Sequence, residues 1–111
     1  MSELANKNKW NINFSEDSND FSNENLKQYN VLVFLNTSGD IFDENQKSAL
    51  QNYIANGNGF VGVHLASGTE IKWPWFTEMI GATFKDHPKV QNATLNINKT
   101  SEHPAINHLN N

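Results

Sequence analysis

At 111 residues and a formal charge of −4, with 8 Lys and Arg against 12 Asp and Glu, the chain has room for one domain and lacks the basic face that a nucleic-acid or anionic-membrane partner requires. Apolar residues make up 37 %, no apolar run approaches the roughly 20 residues that span a bilayer, and no apolar core follows Met1, so a cytoplasmic location is expected. Cysteine is absent, which excludes a disulfide, a thiolate nucleophile and cysteine-based metal sites.

In chain order, residues 2–9 are polar around Leu4 and Ala5 and read as the end of a helix. Trp10, Ile12 and Phe14 then alternate with Asn11 and Asn13, the period of a half-buried strand. After an acidic loop, Ser22 is an N-cap for a short helix through Tyr29, with Phe21 and Leu26 placed to meet as a hydrophobic staple. The continuous apolar run Val31, Leu32, Val33, Phe34 and Leu35 predicts a central parallel strand buried on both faces. Asp43 and Gln46 have capping-box spacing, and Ala49, Leu50, Tyr53 and Ile54 place apolar groups on one face of the helix that follows, which Gly57 and Gly59 stop.

Residues 60–64 form the next apolar strand, so strand, helix and strand predict a parallel βαβ unit. Pro74 opens a short helix that Gly81 ends. Ala93, Leu95 and Ile97 alternate with Thr94, Asn96 and Asn98, which predicts a last strand at an edge or a one-sided position. No internal repeat, linker or charge block divides the chain, and residues 1–111 are taken as one domain.

The strand at 60–64 organises the functional reading, because ligands of open α/β sheets bind outside the carboxyl ends of the strands. Gly62, Val63, His64, Leu65 and Ala66 have the small-residue pattern of a nucleophile elbow, but with histidine at the centre. That imidazole is either a general base, a metal ligand or a hydrogen-bond donor to a sugar or carbonyl oxygen, or a histidine bonded to nearby backbone that shapes the turn. His87, held before Pro88, would approach His64 if its segment folds back. Asp86 and Glu70 are near enough in sequence to join them, yet the spacing matches no metal motif and no metal is assigned. Asn36, Thr37, Gly39 and Asp40 follow the adjacent strand and should face the same crevice, or serve only as turn residues. Trp73, Trp75 and Phe76 either wall a pocket, with an indole face against a sugar ring, or cover the sheet.

Four blocks together, residues 29–40, residues 59–64, Trp73-Pro74-Trp75-Phe76 and residues 81–88, closely resemble the ThuA-like, or trehalose-utilisation, proteins. The resemblance implies a flavodoxin-like α/β fold of the class I glutamine amidotransferase kind, a parallel sheet with helices on both faces. It also implies a role in carbohydrate metabolism on oxidised or otherwise modified sugars, and it specifies no cofactor. The amidotransferase relatives carry their catalytic cysteine at the position that looks equivalent to His64, so glutamine hydrolysis through a thioester is excluded here. Carried over on matching positions, His64 and His87 are candidate acid–base residues, and Asn36, Thr37, Gly39, Asp40, Trp73 and Trp75 are candidate substrate contacts. Glu70 joins them as the acidic residue nearest Gly68, where family members usually carry a carboxylate.

Family members begin with a further strand and a full helix before the point corresponding to Leu4, and they continue beyond His108. The resemblance therefore implies a domain shortened at both ends, missing its first strand and most of its first helix. In the flavodoxin-like order the missing strand lies between residues 10–14 and residues 31–35, which leaves two sets of backbone groups unpaired. Two readings follow: a ThuA-like domain with a sugar-related pocket, linked to trehalose or a modified disaccharide and with acid–base chemistry left open, or a non-catalytic fragment or half of a split protein that needs a partner segment. The expected partners are a small carbohydrate and either a second copy of the chain or a complementing segment.

Overall fold

The computed structural model of the protein describes residues 1–98, 100 and 103–109. Its elements run α1 (Ser2–Asn8), α2 (Asn23–Leu26), β1 (Val31–Leu35), β2 (Ser38–Gly39), α3 (Glu44–Ala55), β3 (Gly59–Val63), β4 (Gly68–Thr69) and α4 (Pro74–Ile80), with 3₁₀ turns at Ser18–Asp20 and His64–Ser67. The chain is mixed α/β, and its strands pair in parallel. β1 lies beside β3 from Val31 opposite Gly59 to Leu35 opposite Val63. The two-residue strands β2 and β4 pair beyond them, Ser38 with Gly68 and Gly39 with Thr69.

Local chemistry sets the helix boundaries. The Asp43 carboxylate accepts from the Gln46 N–H at 2.8 Å while the Gln46 side-chain oxygen accepts from the Asp43 N–H at 2.8 Å, which starts α3 with the expected capping box. Gly57, at φ 85°, takes the left-handed position just past the Asn56 cap. Gly59 stops nothing; it is the first residue of β3. Ser22 caps α2 through the Asn25 N–H, but that helix ends at Leu26, earlier than Tyr29. Pro74 occupies the first turn of α4, and Gly81 closes it at φ 85°.

The core is built around Phe34 of β1. Its ring lies 4.9 Å from Phe60, 5.7 Å from Phe21, 5.9 Å from Phe76 and 6.0 Å from Phe42, all within the range of favourable aromatic contacts. Leu50 of α3 and Phe76 of α4 are fully buried against it. Leu26, Ala49 and Tyr53 form an adjoining cluster that joins α2 to α3, and Leu32 packs on it.

Three expectations are corrected here. β1 is not buried on both faces: α2, α3 and α4 all pack on the side of Leu32 and Phe34, whereas Val31, Val33, Leu35 and the neighbouring Val61 of β3 remain 38–51 % exposed. Of the helices expected on both faces, α2, α3 and α4 cover the face of Leu32 and Phe34. Residues 10–14 form no strand, because no ladder partner stands beside them. A cleft of about 520 Å³, lined by Ile12 and Phe14 on one side and by Val31, Val33 and Leu35 on the other, separates them from β1. Residues 93–98 likewise have no ladder partner among the described residues and stay irregular, with Leu95 on the surface.

The cleft runs along an open edge of β1. Asn30 accepts from the Gly59 N–H at 2.9 Å, and the Asn36 N–H donates to Val63 at 3.1 Å, so every second residue from Asn30 to Asn36 directs its backbone polar groups to β3. The alternation turns those of Val31, Val33 and Leu35 the other way, toward the cleft.

A one-sided sheet has a measurable consequence. Phe34→Ala should cost about 3–5 kcal/mol in urea denaturation, whereas Val33→Ala, one residue earlier, should cost about 1 kcal/mol or less. Equal losses at the two positions would show that the second face is buried as well.

Candidate functional site

The ends of β1 and β3 lie side by side, and each is followed at once by a residue with left-handed backbone: Asn36 at φ 62° and His64 at φ 56°. Such angles are uncommon outside glycine, more tolerable for asparagine and histidine than for most residues, and associated with tight turns and sites. Asn36 makes the last ladder bond, its N–H donating to the Val63 carbonyl oxygen at 3.1 Å, and beyond it the backbone turns and a side-chain bond joins the two residues. His64 Nδ1 lies 2.6 Å from Asn36 Oδ1. An amide oxygen only accepts, so Nδ1 carries the hydrogen, and in the neutral ring Nε2 is then the nitrogen with the lone pair. Both residues are exposed.

The small residues around His64 make this bend feasible. A side chain at Gly62 would bring its Cβ within 3.0 Å of Ile80 in α4 and 3.3 Å of Ala66, and one at Gly68 would approach the Leu65 carbonyl oxygen at 3.2 Å. Beyond the bend the two chains rejoin as β2 and β4, where the Thr37 and Thr69 hydroxyls are 2.8 Å apart and Thr69 is buried. Gly39, at φ 84°, adopts a backbone that other residues rarely reach and accepts from the Glu70 N–H at 2.9 Å.

Glu70 points inward instead of into the crevice. Its side chain is 2 % exposed, and Oε1 accepts from the N–H groups of Ile41 at 2.6 Å and Phe42 at 2.8 Å. Oε2 lies 3.5 Å from Lys47 Nζ. This carboxylate is committed to the loop before α3 and to Lys47. The Lys47 ammonium is held above its ordinary range first by its hydrogen bond to Glu44, with the Glu70 charge adding and burial opposing. Asp40 stays on the surface, bonded at 2.8 Å to Lys72, whose ammonium that bond likewise holds up. Exposed on both sides, that pair adds little stability.

Trp73 and Trp75 lie half-buried, their rings 4.9 Å apart. Trp73 also stacks on Phe76 at 6.0 Å and carries Lys47 Nζ 5.6 Å from its ring centroid. Both indoles therefore pack on the core while keeping part of their surface open. The segment bearing His87 does fold back: the Phe84 N–H donates to Ser67 in the turn after His64 at 2.9 Å. His87 itself is exposed and directs Nδ1 to the Pro88 carbonyl oxygen at 3.1 Å rather than to His64. Among the described residues, no three His, Asp or Glu side chains gather closely enough to hold a metal ion.

The structure thus brings Asn36 and His64 into direct contact and Thr37 and Gly39 into the adjoining ladder. It leaves Asp40 and His87 at the periphery and Trp73 and Trp75 against the core. Sequence reasoning missed Thr69 and the inward role of Glu70; the only local signal was their place just after the elbow.

Comparison with known proteins follows the same lines. The family described as ThuA, trehalose utilisation, matches residues 1–111. The crystal structure of a ThuA-like protein from Bacteroides uniformis is 32 % identical and superposes with a TM-score of 0.58, covering 69 % of this chain and 31 % of that one. The chain thus spans about a third of the length of this solved relative. No curated protein matches it significantly.

The inward Glu70 can be tested directly. Glu70→Ala orphans the N–H groups of Ile41 and Phe42 and should cost roughly 1–3 kcal/mol for each, while Glu70→Gln keeps an acceptor and should recover part of that loss. Urea denaturation of the two variants measures the difference, and a neutral alanine variant would contradict the assignment.

Proposed function

We propose a function for this chain from one premise: it belongs to the ThuA, or trehalose-utilisation, family. Residues 1–111 form one partial ThuA-like domain of the flavodoxin-like kind, a reading that the parallel β1–β3 pair and the ThuA-like neighbour support. Its task is in carbohydrate metabolism, on trehalose or a modified disaccharide. The observation that carries this is the exposed His64 at the carboxyl end of β3, turned out by its backbone and free at Nε2. An imidazole so placed accepts a proton from a sugar hydroxyl, or from the carbon beside an oxidised one, and can return it to a leaving oxygen. Thr37, Gly39 and Asp40 border it and orient hydroxyls, the open portions of Trp73 and Trp75 offer apolar surface to a sugar ring, and His87 is the second acid–base group. No helix among the described residues is long and apolar enough to cross a membrane.

A second reading rests on a separate observation, the open β1 edge beside the cleft and the exposed apolar face of Val31, Val33, Leu35 and Val61. Parallel sheets occur almost only with both faces covered, and a two-stranded sheet alone is marginal in water. On this reading the chain is one half of a split ThuA-like domain, and a strand with its helix, supplied by another chain, completes the sheet.

Titration of 3-keto and ordinary disaccharides against tryptophan fluorescence should give saturable quenching, and His64→Ala should weaken binding at least about tenfold, roughly 1.4 kcal/mol. An unchanged spectrum with every sugar would overturn the pocket. For the second reading, circular dichroism melting of the chain alone should show no cooperative transition. One should appear on adding a strand-and-helix peptide from the unmatched part of the Bacteroides uniformis relative. A cooperative melt without the peptide would refute the split protein.

A further inference from the structure

The chain places glycine at three positions with left-handed backbone, Gly39, Gly57 and Gly81, yet at the ends of β1 and β3 the same region is occupied by Asn36 and His64. Glycine would adopt those angles without steric cost. Side chains have been kept where the backbone would do better without them, and both bond to each other. Burial does not demand that bond, since both residues are exposed and water could serve either group. The Asn36 backbone is fixed independently, its N–H donating to the Val63 carbonyl oxygen at 3.1 Å, so its amide meets the imidazole from a rigid mount.

From this geometry we infer that Asn36 is a positioning residue for His64: it holds the Nδ1–H tautomer and one ring orientation, and makes Nε2 the atom that takes up and returns the proton. The inference deepens the acid–base reading of His64 and rests on it for its functional meaning. It also changes the part of Asn36, whose carbonyl oxygen is spent on the histidine instead of on substrate. A proton arriving at Nε2 leaves the Nδ1–H bond to Asn36 intact, because the amide oxygen accepts from the neutral and the cationic ring alike. The bond strengthens as the ring becomes charged. His64 can therefore cycle a proton without turning over. A donor in place of that oxygen would force the opposite tautomer and turn a different atom outward.

The test is a measurement of tautomers on the full chain labelled with ¹⁵N in histidine. Two-bond ¹H–¹⁵N spectra are recorded at about pH 9, above the ordinary imidazole range, with the His64 signal assigned by its loss in His64→Gln. Wild-type His64 should show the Nδ1–H pattern. Asn36→Gly suits the φ of that position and removes only the acceptor, so the chain should remain folded while His64 shifts to predominantly Nε2–H. Asn36→Asp restores an acceptor and should restore Nδ1–H. A wild-type spectrum dominated by Nε2–H, or a pattern unmoved by Asn36→Gly, would overturn the inference. Both readouts are made without sugar. Nδ1–H in a chain that binds no carbohydrate would leave the positioning intact and count against the sugar pocket, whereas sugar binding with Nε2–H would do the reverse.

Discussion

Glu70 ties together the segments around the strand ends through both its carboxylate and its backbone. Its oxygens reach two backbone N–H groups ahead of α3 and the ammonium of Lys47 within α3, its own N–H is tied to Gly39 at the end of β2, and its carbonyl oxygen receives the Trp73 N–H at the entrance to α4. A buried carboxylate costs several kcal/mol in lost hydration. Hydrogen bonds to a charged acceptor offset that by about 1.5–3 kcal/mol each, and here two converge on Oε1. The cost is met only if all the partners are in place. Glu70 at φ 49° joins Lys9, Asn36 and His64 in the left-handed region, and its strain is carried by the contacts that converge on it.

That arrangement decides what the strand-end surface can offer. With the loop before α3 and Lys47 held by the Glu70 carboxylate, and β2 and the entrance to α4 tied to its backbone, the segments that flank the turns after β1 and β3 are fixed to one residue. Thr37 is similarly bound to the buried Thr69. Among the exposed polar groups are Nε2 of His64, the surface turn around Asp40 and the imidazole of His87. Rigid mounting is what makes the placement of such groups effective.

Legibility in the sequence divides by range. The capping box of Asp43 and Gln46, the Ser22 cap, Pro74 at a helix start and the stops at Gly57 and Gly81 are all interactions over three or four residues, and each stands where the sequence put it. The parallel pairing of β1 with β3 followed from helix length and apolar runs. What was lost depended on distant partners. The alternation at residues 10–14 is genuine, but a strand exists only with a ladder beside it, and there the neighbour is a cleft. An apolar run at residues 31–35 says that both faces prefer burial without saying that both obtain it. Among the candidate site residues, the bend at His64 was readable from Gly62, Ala66 and Gly68. Its contact with Asn36 and the inward turn of Glu70 join residues 28 and 28–29 positions apart, and no local pattern encodes them.

The two open features of the molecule are connected by geometry. Val31, Val33 and Leu35 present their free backbone groups along the edge that ends at Asn36. A strand added there in the direction of β1 would emerge at the same end of the sheet, and the loop after it would arrive beside Asn36 and His64. Covering the exposed valines and completing the crevice would then be one event. An imidazole already fixed in tautomer and direction loses no further freedom when that loop closes over it. The energy of strand addition would be left to order the incoming loop and the sugar. The segment that carries His64 would in that case be set before the added strand arrives.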